Sequence, residues 1–245
     1  MRFHTGISNL TDSGLEGAIS LGAFSGIAKL LLNILRWSHG WLHNYGLAIL
    51  FLSVSIWTLF FPMTWSGIRM MKMMSQIQPQ VERIRKEHAK NPQKMNQEIL
   101  QLYRKYRVNP LSGCLPLLFQ MPIFISLFQV LTRSPELRGA GFLWIQDLAA
   151  PDAMIRLPRL VPFFGDHVNL LPILMMGAMF LQQRMSQRPL SEMSEEQAMQ
   201  QMVFRWFPML FGFMFYGLPS GLVLYWVTNT VLTMGQYLLA KRVTG

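Results

Sequence analysis

Residues other than Asp, Glu, Lys and Arg form four long runs along the 245-residue chain. There are 32 between Arg36 and Arg69, 25 between Arg107 and Arg133, 17 between Asp166 and Arg184, and 35 between Arg205 and Lys241. An α-helix rises about 1.5 Å per residue and the hydrocarbon core of a bilayer is about 30 Å thick, so about 20 apolar residues make one crossing. The first two runs each hold one span. The last would reach roughly 50 Å as a single helix, and Gly217-Leu218-Pro219-Ser220-Gly221 interrupts it with residues that break helices and form turns. The pattern therefore predicts five spans, near 43–63, 111–132, 168–184, 204–217 and 221–240, in an all-α polytopic membrane protein. The third and fourth are short, which implies tilt, local thinning of the bilayer or shelter within a bundle.

Two further patterns lie outside the spans. Phe24, Ile27, Leu30, Leu31, Ile34, Leu35 and Trp37 recur at helical spacing beside Lys29, Asn33 and Arg36. They predict that residues 1–42 form a tail and an amphipathic helix lying along the outer interface. Met70, Met73, Met74, Ile77, Val81 and Ile84 step by three or four, Asn91-Pro92 breaks the pattern, and Met95, Ile99, Leu102 and Tyr106 resume it. This predicts an antiparallel helical hairpin over 66–107, inserted between spans 1 and 2 of a core at 43–245. Its Met-rich base reads as helix packing at the membrane edge or as an adaptable client-contacting surface.

Charge orients these elements. The segment 66–110 holds ten Lys and Arg against Glu82, Glu87 and Glu98, which places it in the cytoplasm, whereas the basic and acidic residues of 133–167 balance. Alternation then puts the N-terminus outside, 185–203 inside as a loop without chemistry, and Lys241-Arg242 inside. An outward N-terminus without a recognisable Sec signal is consistent with a longer natural chain or with unaided crossing of the tail. Composition agrees with a membrane location: 51% of residues are hydrophobic and 14% charged, against about a quarter charged in soluble domains. The net charge of +10 reports cytoplasmic loops first. Cys114 is the single cysteine, so an intrachain disulfide and a Cys-based metal cage are excluded.

Candidate chemistry is sparse. Of five histidines only His39 and His43 have i,i+4 spacing, without the Glu of H-E-x-x-H, and Trp37, Trp41 and Tyr45 around them read as an interfacial aromatic belt. No G-x-S-x-G, Walker A or G-x-G-x-x-G occurs, and no Asp or Glu falls within a span, which excludes an aspartyl dyad and a carboxylate proton relay. The chain reads as a non-enzyme without cofactor or metal. Its spans do carry neutral polar residues: Ser53, Ser55 and Thr58 on the first; Gln120, Ser126 and Gln129 on the second; Asn169, Gln182 and Gln183 at the ends of the third; Thr228, Asn229, Thr230, Thr233 and Gln236 on the fifth. Interhelical hydrogen bonds of about 1 kcal/mol or less account for isolated hydroxyls. Deep amides such as Gln120 and Gln129 have four bonding sites each, which a water-accessible polar groove would satisfy.

Three motifs carry a resemblance. Val108-Asn109-Pro110-Leu111-Ser112-Gly113-Cys114-Leu115-Pro116-Leu117-Leu118-Phe119-Gln120-Met121-Pro122-Ile123-Phe124, then Phe142-Leu143-Trp144-Ile145-Gln146-Asp147-Leu148, then Pro219-Ser220-Gly221-Leu222-Val223-Leu224-Tyr225-Trp226 follow the basic hairpin in order. Together they resemble the signature of the YidC/Oxa/Alb family of membrane protein insertases, over about residues 24–242. The resemblance implies five transmembrane helices around a lipid-open hydrophilic groove, N-out and C-in, in the bacterial inner membrane. It implies a chaperone that accepts nascent membrane proteins from the ribosome or the Sec translocon, works as a monomer and hydrolyses no nucleotide. Many family members carry an extra N-terminal span and a periplasmic domain ahead of this core, so a minimal core or a fragment is expected.

One departure stands out. The family's groove arginine lies five residues before the proline that ends the first span; taking that proline as Pro62 puts Trp57 there. Arg69, twelve residues on, falls roughly 18 Å away in the headgroup region. By position, Ser53, Met214, Tyr225 and Trp226 are the client-contacting residues the resemblance implies, joined by Trp57, Gln120 and Gln129 as groove residues. Arg83, Arg85, Lys86, Arg104, Lys105 and Arg107 are candidates for contact with ribosomal RNA or anionic lipid, set against a plain solvated face. Two other functions compete: a degenerate relative that acts only as an assembly chaperone, and a neutral-groove transporter or channel, for which inverted repeats would be expected.

Overall fold

A computed structural model describes residues 24–109, 115–161, 165–186 and 195–244. The N-terminal tail before Phe24, Cys114 and residues 187–194 of the expected inner loop lie outside the described residues. The described chain is mostly helical. Its helices are α1 (Ser25–Leu42), α2 (Tyr45–Glu87), α3 (Pro92–Lys105), α4 (Leu115–Arg133), α5 (Leu170–Ser186), α6 (Glu195–Arg205), α7 (Phe207–Phe215) and α8 (Ser220–Thr244).

In α1, Ala28, Leu31, Leu32 and Leu35 recur every three or four residues and are buried against α2 and α4. Leu30 and Trp37, on the expected apolar face, are 58% and 52% exposed and so are left uncovered by the bundle. The helix is rotated so that its small and aliphatic stripe packs on protein and its larger apolar groups face outward. It ends at His43, whose left-handed backbone (φ 51°) brings its N–H to the His39 carbonyl. Asn44 follows directly and caps α2, its side-chain oxygen accepting the Leu47 N–H at 3.1 Å.

α2 is one continuous helix of 43 residues, about 65 Å long, so the expected first span and the first arm of the expected hairpin are parts of one helix that runs through Pro62. A proline removes one helical hydrogen bond and crowds the preceding turn. Here α8 braces that turn: Gln236 Nε2 donates to the Phe61 carbonyl at 3.2 Å, and Thr64 Oγ1 reaches Gln236 Oε1 at 2.9 Å. The carbonyl that Pro62 itself frees is that of Thr58, four residues back, so these bonds tie α8 to the turn without replacing the lost one. At its far end α2 meets α3, which Asn91 caps with Pro92 in the first turn. Gln80 donates to the Tyr106 hydroxyl at 2.9 Å and His88 lies 3.0 Å from Glu98, so α3 runs back along α2.

The segment after α4 departs from the all-α expectation. A 3-10 turn at Pro135–Leu137 is followed by an antiparallel pair, β1 (Ile155–Val161) and β2 (Gly165–Val168), in register Ile155 with Val168 and Val161 with Gly165. Only Ile155-Arg156-Leu157 alternates cleanly before Pro158 breaks the period, so the strand signal is too short to stand out. Likewise the expected inner loop 185–203 is helical from Glu195, and the expected span 204–217 divides at Trp206 between α6 and α7. α7 has nine residues, about 14 Å. Among the described residues one helix, α2, is long and apolar enough to cross a membrane by itself; Leu118–Arg133 is a shorter apolar helix.

The core lies where α1, α2, α4, α5 and α8 meet, around Leu35, Ile49, Leu52, Leu127, Leu131, Met175, Leu222 and Tyr225. Truncating any of the buried leucines to alanine costs about 2–5 kcal/mol. The outer segment ties the helix ends together. Ser220 and Gly221 donate their N–H groups to the Ala150 and Leu148 carbonyls at 2.8 and 2.9 Å, satisfying the first turn of α8. A Cβ at Gly221 would sit 2.9 Å from Leu131 Cδ2 and 3.1 Å from the Leu148 carbonyl oxygen, so this approach requires glycine. Asp152 accepts the Leu171 N–H at 2.8 Å and the Trp144 indole N–H at 3.2 Å, fixing the start of α5.

Candidate functional site

Four of these helices line an open-sided cavity of about 320 Å³. α2 lines it with Ile56, Trp57, Phe60, Met63, Thr64, Gly67, Ile68 and Met71, and α8 with Trp226, Asn229, Thr230, Thr233 and Tyr237. Both sets step by three or four, so each is one helical face. Phe119 and Gln120 of α4 and Met179 and Gln182 of α5 complete the wall. No lining residue among those described is Asp, Glu, Lys, Arg or His. Arg69, Lys72 and Arg184, each within two residues of a lining position, lie outside the lining; Arg69 sits over the Trp65 ring at 5.7 Å, and Arg184 over the Phe180 ring at 4.9 Å.

Most polar groups here are spoken for. Thr230 Oγ1 donates to the Trp226 carbonyl at 2.9 Å and Thr233 Oγ1 to the Asn229 carbonyl at 2.8 Å, both within α8. Asn229 Nδ2 donates to the Tyr225 carbonyl at 2.9 Å, and Gln120 Nε2 to the Tyr225 hydroxyl at 2.9 Å. Trp57 differs. Its ring packs edge-on against Phe61 with centroids 5.1 Å apart, and its Nε1 is buried with no hydrogen-bond partner. The Trp226 ring is seated among Phe124, Phe211 and Phe215, 5.3–5.7 Å away.

Of the residues expected from sequence to form a groove, Trp57, Gln120 and Trp226 share the cavity wall, with Tyr225 buried directly behind Gln120. Ser53 is fully buried one turn before the cavity begins, its hydroxyl donating to the Ile49 carbonyl at 2.8 Å. Gln129 lies outside the lining with its Oε1 buried and unpartnered, and Met214 is 53% exposed on α7. Asn229, Thr230 and Thr233 were visible in the sequence only as neutral polar residues. Their spacing with Trp226 and Tyr237, one face of an apolar helix, is the signal that groups them. Arg83, Arg85 and Lys86 are exposed near the end of α2, and Arg104, Lys105 and Arg107 are exposed after the turn back along it. Among the described residues no group of three His, Cys, Asp or Glu is placed to hold a metal ion.

Beside the first residue of α2, Tyr45, Arg36 pairs with Glu136. Arg36 Nε lies 3.0 and 3.1 Å from the two carboxylate oxygens, its Nη2 also bonds Oε1, and the Tyr45 hydroxyl donates to Oε2 at 3.2 Å. The Arg36 guanidinium holds the Glu136 carboxyl below the usual carboxylate range. His39 stacks on Tyr45 at 3.9 Å, so α1, α2 and the 3-10 turn are joined at this corner.

Comparison with known proteins places this architecture. The family model described as 60Kd inner membrane protein matches residues 37–245. The chain is 40% identical over 240 residues to the Membrane protein insertase YidC of Magnetococcus marinus, covering 96% of this chain and 40% of that one. The protein of the same name from Pelobacter propionicus is 39% identical over 231 residues, covering 94% and 41%. A solved structure described as an active YidC insertase with the first transmembrane domain resolved superposes with a TM-score of 0.63 at 27% identity, over 93% of this chain and 50% of that one. The chain thus spans about two fifths of the length of the curated relatives it matches.

Proposed function

The chain belongs to the 60Kd inner membrane protein family, that of the YidC insertases, and from that premise we propose that it inserts nascent membrane proteins into lipid and assists their folding. The observation that carries the reading is a cavity between apolar helices whose mostly apolar wall carries neutral amide and hydroxyl side chains and, among the described residues, no charged one. In this reading α2, α4, α5, α7 and α8 supply five crossings with the N-terminus outside, and the basic end of α2 with α3 stands in the cytoplasm.

Insertion of an apolar segment is downhill: ten Leu, Ile, Phe or Val residues contribute about −3 to −6 kcal/mol. The barrier is the polar tail that must cross first, at about 3 kcal/mol for each charged residue at the bilayer centre. A partly hydrated cavity shortens the apolar distance that tail traverses. The nine-residue α7, too short for a 30 Å core, acts the same way by thinning the bilayer beside it. Both effects lower a barrier without a nucleotide, because the driving force is the partition of the client's apolar segment. Ribosomes, the Sec translocon and anionic lipids are the partners that fit this cycle, with the exposed cations of α2 and α3 as the contact.

A photo-crosslinker placed at Trp57, Gln120 or Trp226 should capture a stalled nascent membrane protein, and one at the walled-off Ser53 should capture much less. Absence of adducts from all cavity positions would count against both insertion and chaperoning.

A further inference from the structure

Trp57 carries a buried and unused hydrogen-bond donor in the cavity wall. Among the lining residues described, its Nε1 is the one buried polar atom without a partner. The threonine hydroxyls beside it are spent on their own helix, and the amides of Gln120 and Asn229 each already donate to Tyr225 or its carbonyl. A buried donor left unpaired is costly, and it is kept where something else fills the vacancy. The wall offers no ionised group to attract either sign of charge, and Arg69 and Arg184 are held over aromatic rings outside it.

We propose that the Trp57 indole N–H donates to a carbonyl oxygen of the segment occupying the cavity, and that the cavity favours uncharged polar segments over charged ones of either sign. A charged tail of either sign loses hydration on entry and finds no counter-ion, so acidic and basic tails are disfavoured alike. A Ser- or Gln-rich tail presents carbonyls to Trp57 and loses far less. This selectivity rests on the insertase reading above and assigns the class of tail that the same site takes.

The test uses the whole chain in zwitterionic phosphatidylcholine vesicles without a membrane potential. The client has one apolar segment and a short N-terminal tail bearing Ser/Gln, two Asp or two Lys. The neutral tail should cross fastest, with the acidic and basic tails slower and within about threefold of each other. Trp57→Phe keeps the ring against Phe61 and removes the donor; neutral-tail insertion should fall about fivefold, the size of one hydrogen bond. Trp57→Arg should favour acidic over basic tails by tenfold or more. A tenfold preference of the unaltered chain for acidic tails, or full neutral-tail activity in Trp57→Phe with unchanged thermal unfolding, overturns the inference and leaves the insertase reading standing. Failure of all three tails to cross in the unaltered chain overturns the insertase reading itself.

Discussion

At the scale of single residues, position along the sequence identifies polar groups but not which way they face. Trp57 and Gln120 stand out because an indole N–H and an amide inside apolar helices need an explanation. Ser53 shares the face of Trp57, yet the helices close around it, and no sequence feature marks where a cavity begins. The ion pair of Arg36 with Glu136 was equally hidden, since 100 residues separate the partners. It gives a pH signature. Glu136 titrates below its ordinary value of 4.5 in the folded chain, so its contribution is fully present above that value and is lost as pH falls through the lower folded value. With the carboxylate 34% exposed, screening keeps the effect to about 1 kcal/mol or less. The thermal midpoint in detergent should therefore drop more steeply below about pH 4.5 in the unaltered chain than in Glu136→Gln. Parallel pH profiles would show that the pair does not hold α1 to the bundle.

At the scale of elements, hydrophobic runs locate helices well and their ends poorly. α2 runs on through Pro62, and its tie to α8 there, Gln236 on the Phe61 carbonyl 175 residues away, is contained in no local rule. The break at Gly217–Gly221 is legible because glycine and proline act locally, and α8 accordingly starts at Ser220. β1 and β2 escape notice for the opposite reason, being too brief to establish a period. The paired ends of α2 and α3 carry their own consequence. Gln80 against Tyr106 sets Arg83, Arg85 and Lys86 near Arg104, Lys105 and Arg107, so a ribosomal RNA contact would engage several cations together. Co-sedimentation with ribosomes should fall at least about tenfold between 50 and 200 mM salt, and replacing the six residues with glutamine should flatten that dependence. Salt-independent binding, or no change in the sextuple variant, would leave these residues as a solvated face.

At the scale of the whole molecule, scarcity of charge and the three motifs point to one family, and the comparisons show membership in it. The motifs prove to be structural partners: Leu148 of the second receives the N–H of Gly221 in the third, and Gln120 of the first meets Tyr225. The cavity emerges from that assembly, since its wall draws on four helices that no single stretch of sequence contains. The most direct measurement is reconstitution of this chain alone in vesicles, followed by protease protection of the tail of a single-span client added as it is synthesised. Tail protection that rises with the amount of chain, and falls when a bulky thiol reagent is attached to a cysteine placed at Thr233 in the cavity wall of a Cys114→Ser chain but not when the reagent meets Cys114→Ser alone, is the expected result. Protection no greater than in protein-free vesicles would contradict the account.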